Sequence, residues 1–354
     1  MYLDRQQKLV SGMPRLGKMP RRRLLKGAGA LSLATILRPT LALATHPRQL
    51  GPFSDWSEPV WLGPVVSSIS NDFHPAISRD GLGLYITSDR PGGVNSENPN
   101  GIAEIWVSQR EDRDTPWEEP LNLGPNINVR GYGSGVPNLT PDGSRLFFGS
   151  VRPGGCAGTA GNLWVAERED SEDDLAWETP MNLGCAINKT DEDSPVYFRD
   201  RENGITTLYY TRFDGPGGAF GTPDQDWNIY ASTLEEDGTF GPGVPVSELN
   251  GPFRDTRMTI RSDGLEMIFT STRPGGIGPA GKLTLNLWAS TRANTLDRWS
   301  TPVNLGRPVN SGSGDRGPAL SFDGKTLYFS SHRPGGSGNF NLWMAARSKL
   351  DRDD

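Results

Sequence analysis

The residues best suited to chemistry recur at one position of a repeated sequence pattern, three residues before a proline or its equivalent. Carboxylates gathered at one point could bind a hydrated divalent cation such as Ca²⁺ through oxygen ligands. Alternatively, a pair of them could act as acid and base on a sugar. The position holds Asp72, Ser134, Glu192, Asp255 and Asp315, and neighbouring positions add His74, Asp193, Arg257 and Arg316.

Histidine and tryptophan residues outside the repeated pattern offer two further candidate sites. His74 and His332 are two of only three histidines, and with a carboxylate they could hold a transition metal. Unrelated surface histidines are the alternative. The third copy of the pattern has an insertion that ends in Trp227, close to Asp224 and Asp226. An aromatic plate there would suit a sugar ring or a cationic ligand, whereas a plain longer turn is the structural alternative.

The two cysteines belong to the second copy of the pattern, where Cys156 follows the Pro-Gly-Gly loop and Cys185 follows the predicted fourth strand. Cys156 and Cys185 would therefore lie on the same rim of one structural unit. In an oxidising compartment they could form a disulfide that closes a loop of about 30 residues and stabilises the fold by roughly 3 kcal/mol. Two free thiols are the alternative.

The elements that must position these residues repeat about every 60 residues. Each copy contains a turn, usually Asp-Gly, then an apolar and aromatic run, a basic-Pro-Gly-Gly loop, an Asn-Leu-Trp-like run and an Asn-Leu-Gly-like segment. The pattern predicts four short antiparallel strands per copy, which is typical of a β-propeller blade. The loop arginines that mark the five copies are Arg90, Arg152, Arg212, Arg273 and Arg333.

The two ends of the pattern predict how the ring closes. The fifth copy lacks its fourth strand, and an unmatched fourth strand stands upstream of the first copy at Trp56 to Gly63. Joining them removes both free sheet edges. We therefore predict an all-β, five-bladed β-propeller of four-stranded antiparallel blades over residues 45–354. The blades are expected near residues 64–124, 125–184, 185–250, 251–306 and 307–347, the last completed by 56–63.

The repeated motif SxDG, an apolar-aromatic strand, SxRPGG and NLW resembles the WD40-like propeller repeats of bacterial TolB-type proteins. The resemblance covers nearly all of residues 45–354, although TolB-like members usually have six or seven blades. It implies an exported binding or assembly protein, and such repeats also occur beside peptidase or lyase activities.

The predicted strand directions bring the acidic positions to one rim, around the mouth of the central channel. The five loop arginines end their strands on the same rim. Two interpretations follow. The arginines could pin the carboxylates as ties between blades, or the carboxylates could form a ligand site.

The first 44 residues predict export. Arg21 and Arg22 precede a mildly apolar run and Ala42-Leu43-Ala44, a pattern that resembles a twin-arginine signal peptide. These residues hold nine Lys/Arg and one Asp, so their removal lowers the net charge from −6 to −14. An acidic surface disfavours nucleic acid as a partner. We expect a monomer in the periplasm or outside the cell, with no membrane span.

The sequence therefore predicts an exported, TolB-like scaffold that binds a protein or an oligosaccharide ligand. The alternative is a carbohydrate-active enzyme, a glycoside hydrolase or lyase, that uses carboxylates at the channel mouth. No nucleophile elbow, zinc-protease motif, phosphate loop or dinucleotide fingerprint occurs in the sequence.

Overall fold

The computed structural model describes residues 52–97, 101–156, 161–215 and 227–350. Within these ranges the chain forms twenty β-strands and no α-helix; in particular, no helix there has the length and hydropathy of a membrane span. The predicted signal peptide lies outside the described residues, as do His46, Asp224 and Asp226.

The strands form five antiparallel sheets of four strands each. The first described strand, β1 (Val60–Trp61), belongs to the last sheet. Blade 1 contains β2 (Asp72–Ile77), β3 (Gly83–Ser88), β4 (Glu104–Gln109) and β5 (Leu121–Asn122). Blade 2 contains β6 (Ser134–Leu139), β7 (Arg145–Ser150), β8 (Asn162–Glu167) and β9 (Met181–Asn182).

The remaining three blades repeat this arrangement. Blade 3 contains β10 (Glu192–Arg199), β11 (Thr206–Phe213), β12 (Trp227–Thr233) and β13 (Val244–Pro245). Blade 4 contains β14 (Asp255–Ile260), β15 (Glu266–Ser271), β16 (Asn286–Thr291) and β17 (Val303–Asn304). Blade 5 contains β18 (Asp315–Leu320), β19 (Thr326–Ser331), β20 (Asn341–Ala346) and β1.

The ring closes through the first and last described strands. β1 pairs antiparallel with β20, with Val60 opposite Met344 and Trp61 opposite Trp343. An isolated bridge between Phe53 and Lys349 extends the contact. The five-bladed propeller and its closure by the N-terminal strand are thus confirmed.

The hydrophobic core lies between neighbouring blades. One cluster joins Tyr85 and Ile105 of blade 1 to Phe148 and Trp164 of blade 2. Another combines buried residues of blades 3 and 4 in the same way. Each blade therefore buries its faces against its neighbours, and the ring is needed to complete the core.

A buried arginine ties every blade to the connection that precedes it. Arg273 of blade 4 donates to Asp255 Oδ1 at 2.6 Å and to the carbonyl of Leu249, before β14, at 2.5 Å. Its guanidinium also lies 5.4 Å from the centre of the Trp288 ring. Arg90, Arg212 and Arg333 are bound in the same way, to Asp72, Glu192 and Asp315 at 2.6, 2.9 and 2.8 Å.

Replacing Arg273 by alanine should destabilise the protein strongly. The change leaves the Asp255 carboxylate buried without its charged partner, a situation that typically costs about 3–5 kcal/mol. Arg298→Ala is the matched control. The Arg298 side chain is 90% exposed and its ion pair with Glu248 is long, at 3.6 Å, so little change in stability is expected. Denaturant unfolding measures both; equal stability of the two variants would contradict the role of the arginine.

Candidate functional site

The structure places the acidic residues of the repeated position inside the blades. Asp72, Asp255 and Asp315 are fully buried. Their oxygens accept hydrogen bonds from the loop arginines and from serine hydroxyls at the end of the second strand. Glu192 is held by Arg212 but also borders the cavity at the channel mouth. Among the described residues, no three His, Cys, Asp or Glu side chains are grouped so that they could hold a metal ion.

Alternation along the inner strands explains this placement. Successive side chains of a strand point to opposite faces, so the residue after each buried acid lies toward the channel mouth. In blade 1 this residue is Phe73, in blade 3 it is Asp193 and in blade 5 it is Arg316, and all three line the mouth.

A bulge then turns one residue of each inner strand into the channel. The strand register shifts here in every blade, and the backbone adopts a positive φ. Non-glycine residues in this conformation each cost about 1–3 kcal/mol and cluster at functional sites. The five residues are His74, Val136, Ser194, Arg257 and Gly317, with φ of 51°, 53°, 57°, 49° and 60°.

Hydroxyl groups of the neighbouring blade hold three of these bulges in place. The amides of His74, Val136 and Gly317 donate to Ser330 Oγ, Thr87 Oγ1 and Thr270 Oγ1 at 3.1, 2.9 and 3.0 Å. Bulges are common next to functional sites because they re-aim a side chain. Here they aim His74 and Arg257 toward the channel axis.

A cavity of about 320 Å³ lies above the bulges, and Gly133, Gly135 and Gly149 of blade 2 form part of its wall. A Cβ on Gly149 would lie 2.8 Å from Asp193 Oδ1, and one on Gly135 would lie 2.8 Å from Thr87 Cγ2. Glycine at these two positions therefore lets Asp193 and Thr87 approach the backbone of blade 2 closely, where any other residue would force them to shift. The volume lies at the lower end of small-molecule sites, which span about 300–1,000 Å³.

Arginine side chains form the opposite wall of the cavity. Arg257 and Arg316 line it, and Arg254 is near enough to interact electrostatically with both. Asp193 Oδ2 lies 3.8 Å from Arg257 Nη2. In the described part of the chain, these buried guanidinium nitrogens have no hydrogen-bond partner: Arg254 Nε, Arg257 Nε, Arg257 Nη1 and Arg316 Nε.

Aromatic rings fix the orientation of Arg316. Its guanidinium lies 3.5 Å from the centre of the Phe340 ring and 5.1 Å from that of Phe73. His332 lies against Phe340, with 3.5 Å between ring centres, and Phe73 contacts His74 edge-on at 4.7 Å. The side chain is thereby held by stacking, the contact for which arginine is well suited.

Burial and mutual repulsion lower the pKa values of this cluster. Burial holds the pKa of Arg316 well below its usual range, and Arg257 and Arg254 lower it further. Burial, assisted by Arg257, lowers the pKa of Arg254 to about 10. The pKa of His74 is lowered well below 6.5 by burial and then by the three arginines. His74 is therefore neutral at neutral pH.

The other predicted residues lie elsewhere or play a smaller part. Trp227 is buried in β12 and packs against Phe213, with ring centres 5.7 Å apart, so it is not an exposed plate. Cys156 and Cys185 form a disulfide with a Cα–Cα distance of 5.5 Å. His332 is at the rim, where burial and Arg316 lower its pKa.

Sequence reasoning missed several residues of the mouth. Phe73, Gly135 and Gly149 occupy positions where the five copies differ, and Arg254 directly precedes a buried acid. Phe340 precedes Asn341, the first residue of β20. Comparing the copies one residue after the acidic position was the signal available, because that position varies from Phe to Gly, Asp, Thr and Arg.

The sequence matches no protein-family model and no curated protein. Solved structures with the same fold include an α-L-arabinofuranosidase from Lactobacillus brevis (TM-score 0.52, 14% identity, 83% of this chain, 94% of that one). An α-L-arabinofuranosidase from Podospora anserina, solved with cellotriose, matches with TM-score 0.51, 12% identity and coverages of 81% and 96%. A family 117 glycoside hydrolase from Zobellia galactanivorans matches with TM-score 0.50, 14% identity and coverages of 86% and 93%.

These matches correct the functional interpretation drawn from the sequence. The prediction of a TolB-like binding scaffold is wrong, because these structural neighbours are glycoside hydrolases. At 10–14% identity the likeness itself shows the fold. The repeated motif describes a blade, and blades of this kind serve proteins with different activities.

His74 should make the protein lose stability as pH falls. Its pKa in the folded protein lies below the unfolded value near 6.5, so below that pH the unfolded chain binds a proton that the folded protein does not. Folding is then disfavoured by up to about 1.4 kcal/mol per pH unit.

Unfolding measured from pH 7.5 to 5 tests this. We expect a shallower loss in His74→Asn, since Asn tolerates the left-handed backbone. His332→Asn should change the slope less, because that ring is less buried. An unchanged slope in His74→Asn would contradict the prediction.

Proposed function

We propose that the protein is a carbohydrate-active enzyme whose substrate binds in the cavity at the channel mouth. The observation that carries the proposal is the convergence of unpartnered polar groups on one cavity of sugar size, on the channel axis. The described chain shares its fold with glycoside hydrolases over more than four-fifths of its length. One of those enzymes was solved with an oligosaccharide.

Two carboxyl groups border the cavity, Asp193 and Glu192. Asp193 is only loosely paired, at 3.8 Å from Arg257. Its oxygens therefore remain available to accept a proton, or a hydrogen bond from a sugar hydroxyl. Burial raises the pKa of Glu192, although Arg212 and the amides of Lys189 and Thr190 oppose the shift. A raised pKa is the direction that a proton-donating carboxyl needs.

These roles fit the acid and base chemistry of glycosidic bond cleavage. Asp193 would act as the proton acceptor, and Glu192 as the second carboxyl group. Asp72, Asp255 and Asp315 would take no part, because each is buried against its arginine and, unlike Glu192, does not border the cavity. Phe73 adds an apolar face on which a sugar ring can lie.

We also propose that the protein works outside the cytoplasm. The Cys156–Cys185 disulfide supports this, because disulfides persist in oxidising compartments. The twin-arginine pattern at Arg21 and Arg22 supports the same conclusion. Cell fractionation tests this. We expect the protein outside the cytoplasm, and in the cytoplasm once Arg21 and Arg22 are both changed to lysine. A cytoplasmic location of the unchanged protein would argue against export.

Asp193→Asn should abolish most of the activity. Loss of a general acid or base typically lowers the rate by about 10²–10⁴-fold. Turnover is measured on a panel of polysaccharides and aryl glycosides, by reducing-end release and by absorbance of new C=C bonds. Asp142→Asn is the matched control, because Asp142 lies in the turn between β6 and β7 of blade 2, at the end of β6 away from the mouth.

The outcomes separate clearly. Activity that is lost in Asp193→Asn and kept in Asp142→Asn supports the proposal. Full activity in Asp193→Asn removes Asp193 from the mechanism. Neither turnover nor binding of any saccharide would overturn the proposed function.

A further inference from the structure

The mouth cavity carries more positive charge than the structure neutralises. Arg257 lowers the pKa of Arg254, both lower that of Arg316, and the Asp193 carboxylate acts on Arg254 and Arg257. Glu192 borders the cavity but is paired with Arg212 at 2.9 Å. The cluster therefore has a net charge of about +2 in a partly dehydrated site, where like charges repel strongly.

Other buried arginines of this protein do have acceptors. On the opposite rim, Arg347 donates to both oxygens of Glu266 at 2.9 and 2.6 Å, and Arg261 donates to Glu266 at 2.8 Å. Leaving buried donors of a charged group without a partner is costly. The unpartnered nitrogens of Arg257 and Arg316 are thus an exception that calls for an acceptor.

The geometry selects the kind of acceptor. Phe340 and Phe73 cover the faces of the Arg316 guanidinium, so its N–H groups remain for hydrogen bonding along the edge. A planar guanidinium edge matches the two oxygens of a carboxylate or of a sulfate ester. Arg257, 8% exposed, adds further donors from the floor of the same cavity.

We propose that the substrate is an acidic saccharide, and that Arg257 and Arg316, with Arg254 nearby, bind its carboxylate or sulfate group in the mouth cavity. The inference rests on the proposed function for the sugar itself and adds the charge. The anion accepts hydrogen bonds from the guanidinium groups that line the cavity and offsets the repulsion within the cluster. Gly135 and Gly149 form part of the opposite wall, against which the sugar ring would lie.

Binding measured by titration calorimetry on the purified protein tests the inference. The probes are trigalacturonate, its methyl ester, a sulfated oligosaccharide and inorganic sulfate alone. Trigalacturonate or the sulfated oligosaccharide should bind at least about tenfold more tightly than the ester, since charged hydrogen bonds differ from neutral ones by that order. Whichever acid binds identifies the group.

The variant Arg316→Gln should weaken binding of the acid by about 10–100-fold and weaken ester binding much less, because the neutral ester loses no charge pairing. It should also raise the melting temperature of the ligand-free protein, because one of three repelling charges is removed. A purely structural arginine would do the opposite. Arg298→Gln, exposed and away from the cavity, is the control for both measurements.

Four results would overturn the inference. Equal affinity for acid and ester would remove the charge requirement while leaving the proposed function in place. Inorganic sulfate binding as tightly as any saccharide would show a simple anion site. A lower melting temperature in Arg316→Gln with unchanged affinity would make Arg316 structural. If no probe and no neutral saccharide binds or is cleaved, the proposed function fails as well.

Discussion

The structure depends on one buried interaction that every blade repeats. A loop arginine reaches from the end of the second strand to the residue that begins the first, and then to a carbonyl of the preceding connection. It thereby fixes strand pairing within a blade and the position of the connection from the preceding blade. In blade 2 the acid is replaced by Ser134, and burial lowers the pKa of Arg152 to about 10. The carboxylate therefore offsets a desolvation cost that blade 2 leaves uncompensated.

The fold could be predicted because five copies of the same pattern report on each strand. A turn, strand or loop that is ambiguous in one copy becomes clear when the same residues recur at a fixed spacing. The unmatched strand at Trp56 to Gly63 likewise implies that it pairs with the last blade, which lacks a fourth strand. Asp80-Gly81 illustrates the local logic: Gly81 takes the positive φ of 79° that the turn needs, and Asp80 Oδ1 accepts from the Leu82 amide at 2.9 Å.

The site was predicted only in part, because the residues that face the mouth lie one position after the acidic residues that the sequence pattern singles out. The acids of the repeated position attracted attention because they recur, yet recurrence itself marked them as ties. The next residue faces the mouth, and the bulge after it turns His74 and Arg257 into the channel. The bulge is not visible in the sequence pattern of its own strand, because the bulge is held by hydroxyl groups of the neighbouring blade, such as those of Ser330 and Thr87.

Arginine thus has two opposite uses in this molecule, and the contrast links fold to function. In the ties, each guanidinium meets carbonyl and, in four blades, carboxylate oxygens, which stabilises the ring. At the mouth, Arg254, Arg257 and Arg316 crowd together with unpartnered nitrogens and lowered pKa values, which destabilises it. A ring held by five ties can tolerate that strain. Because aromatic rings already hold Arg316 and the arginines are already desolvated, an anion that enters the mouth meets oriented donors, which is how preorganised sites gain affinity.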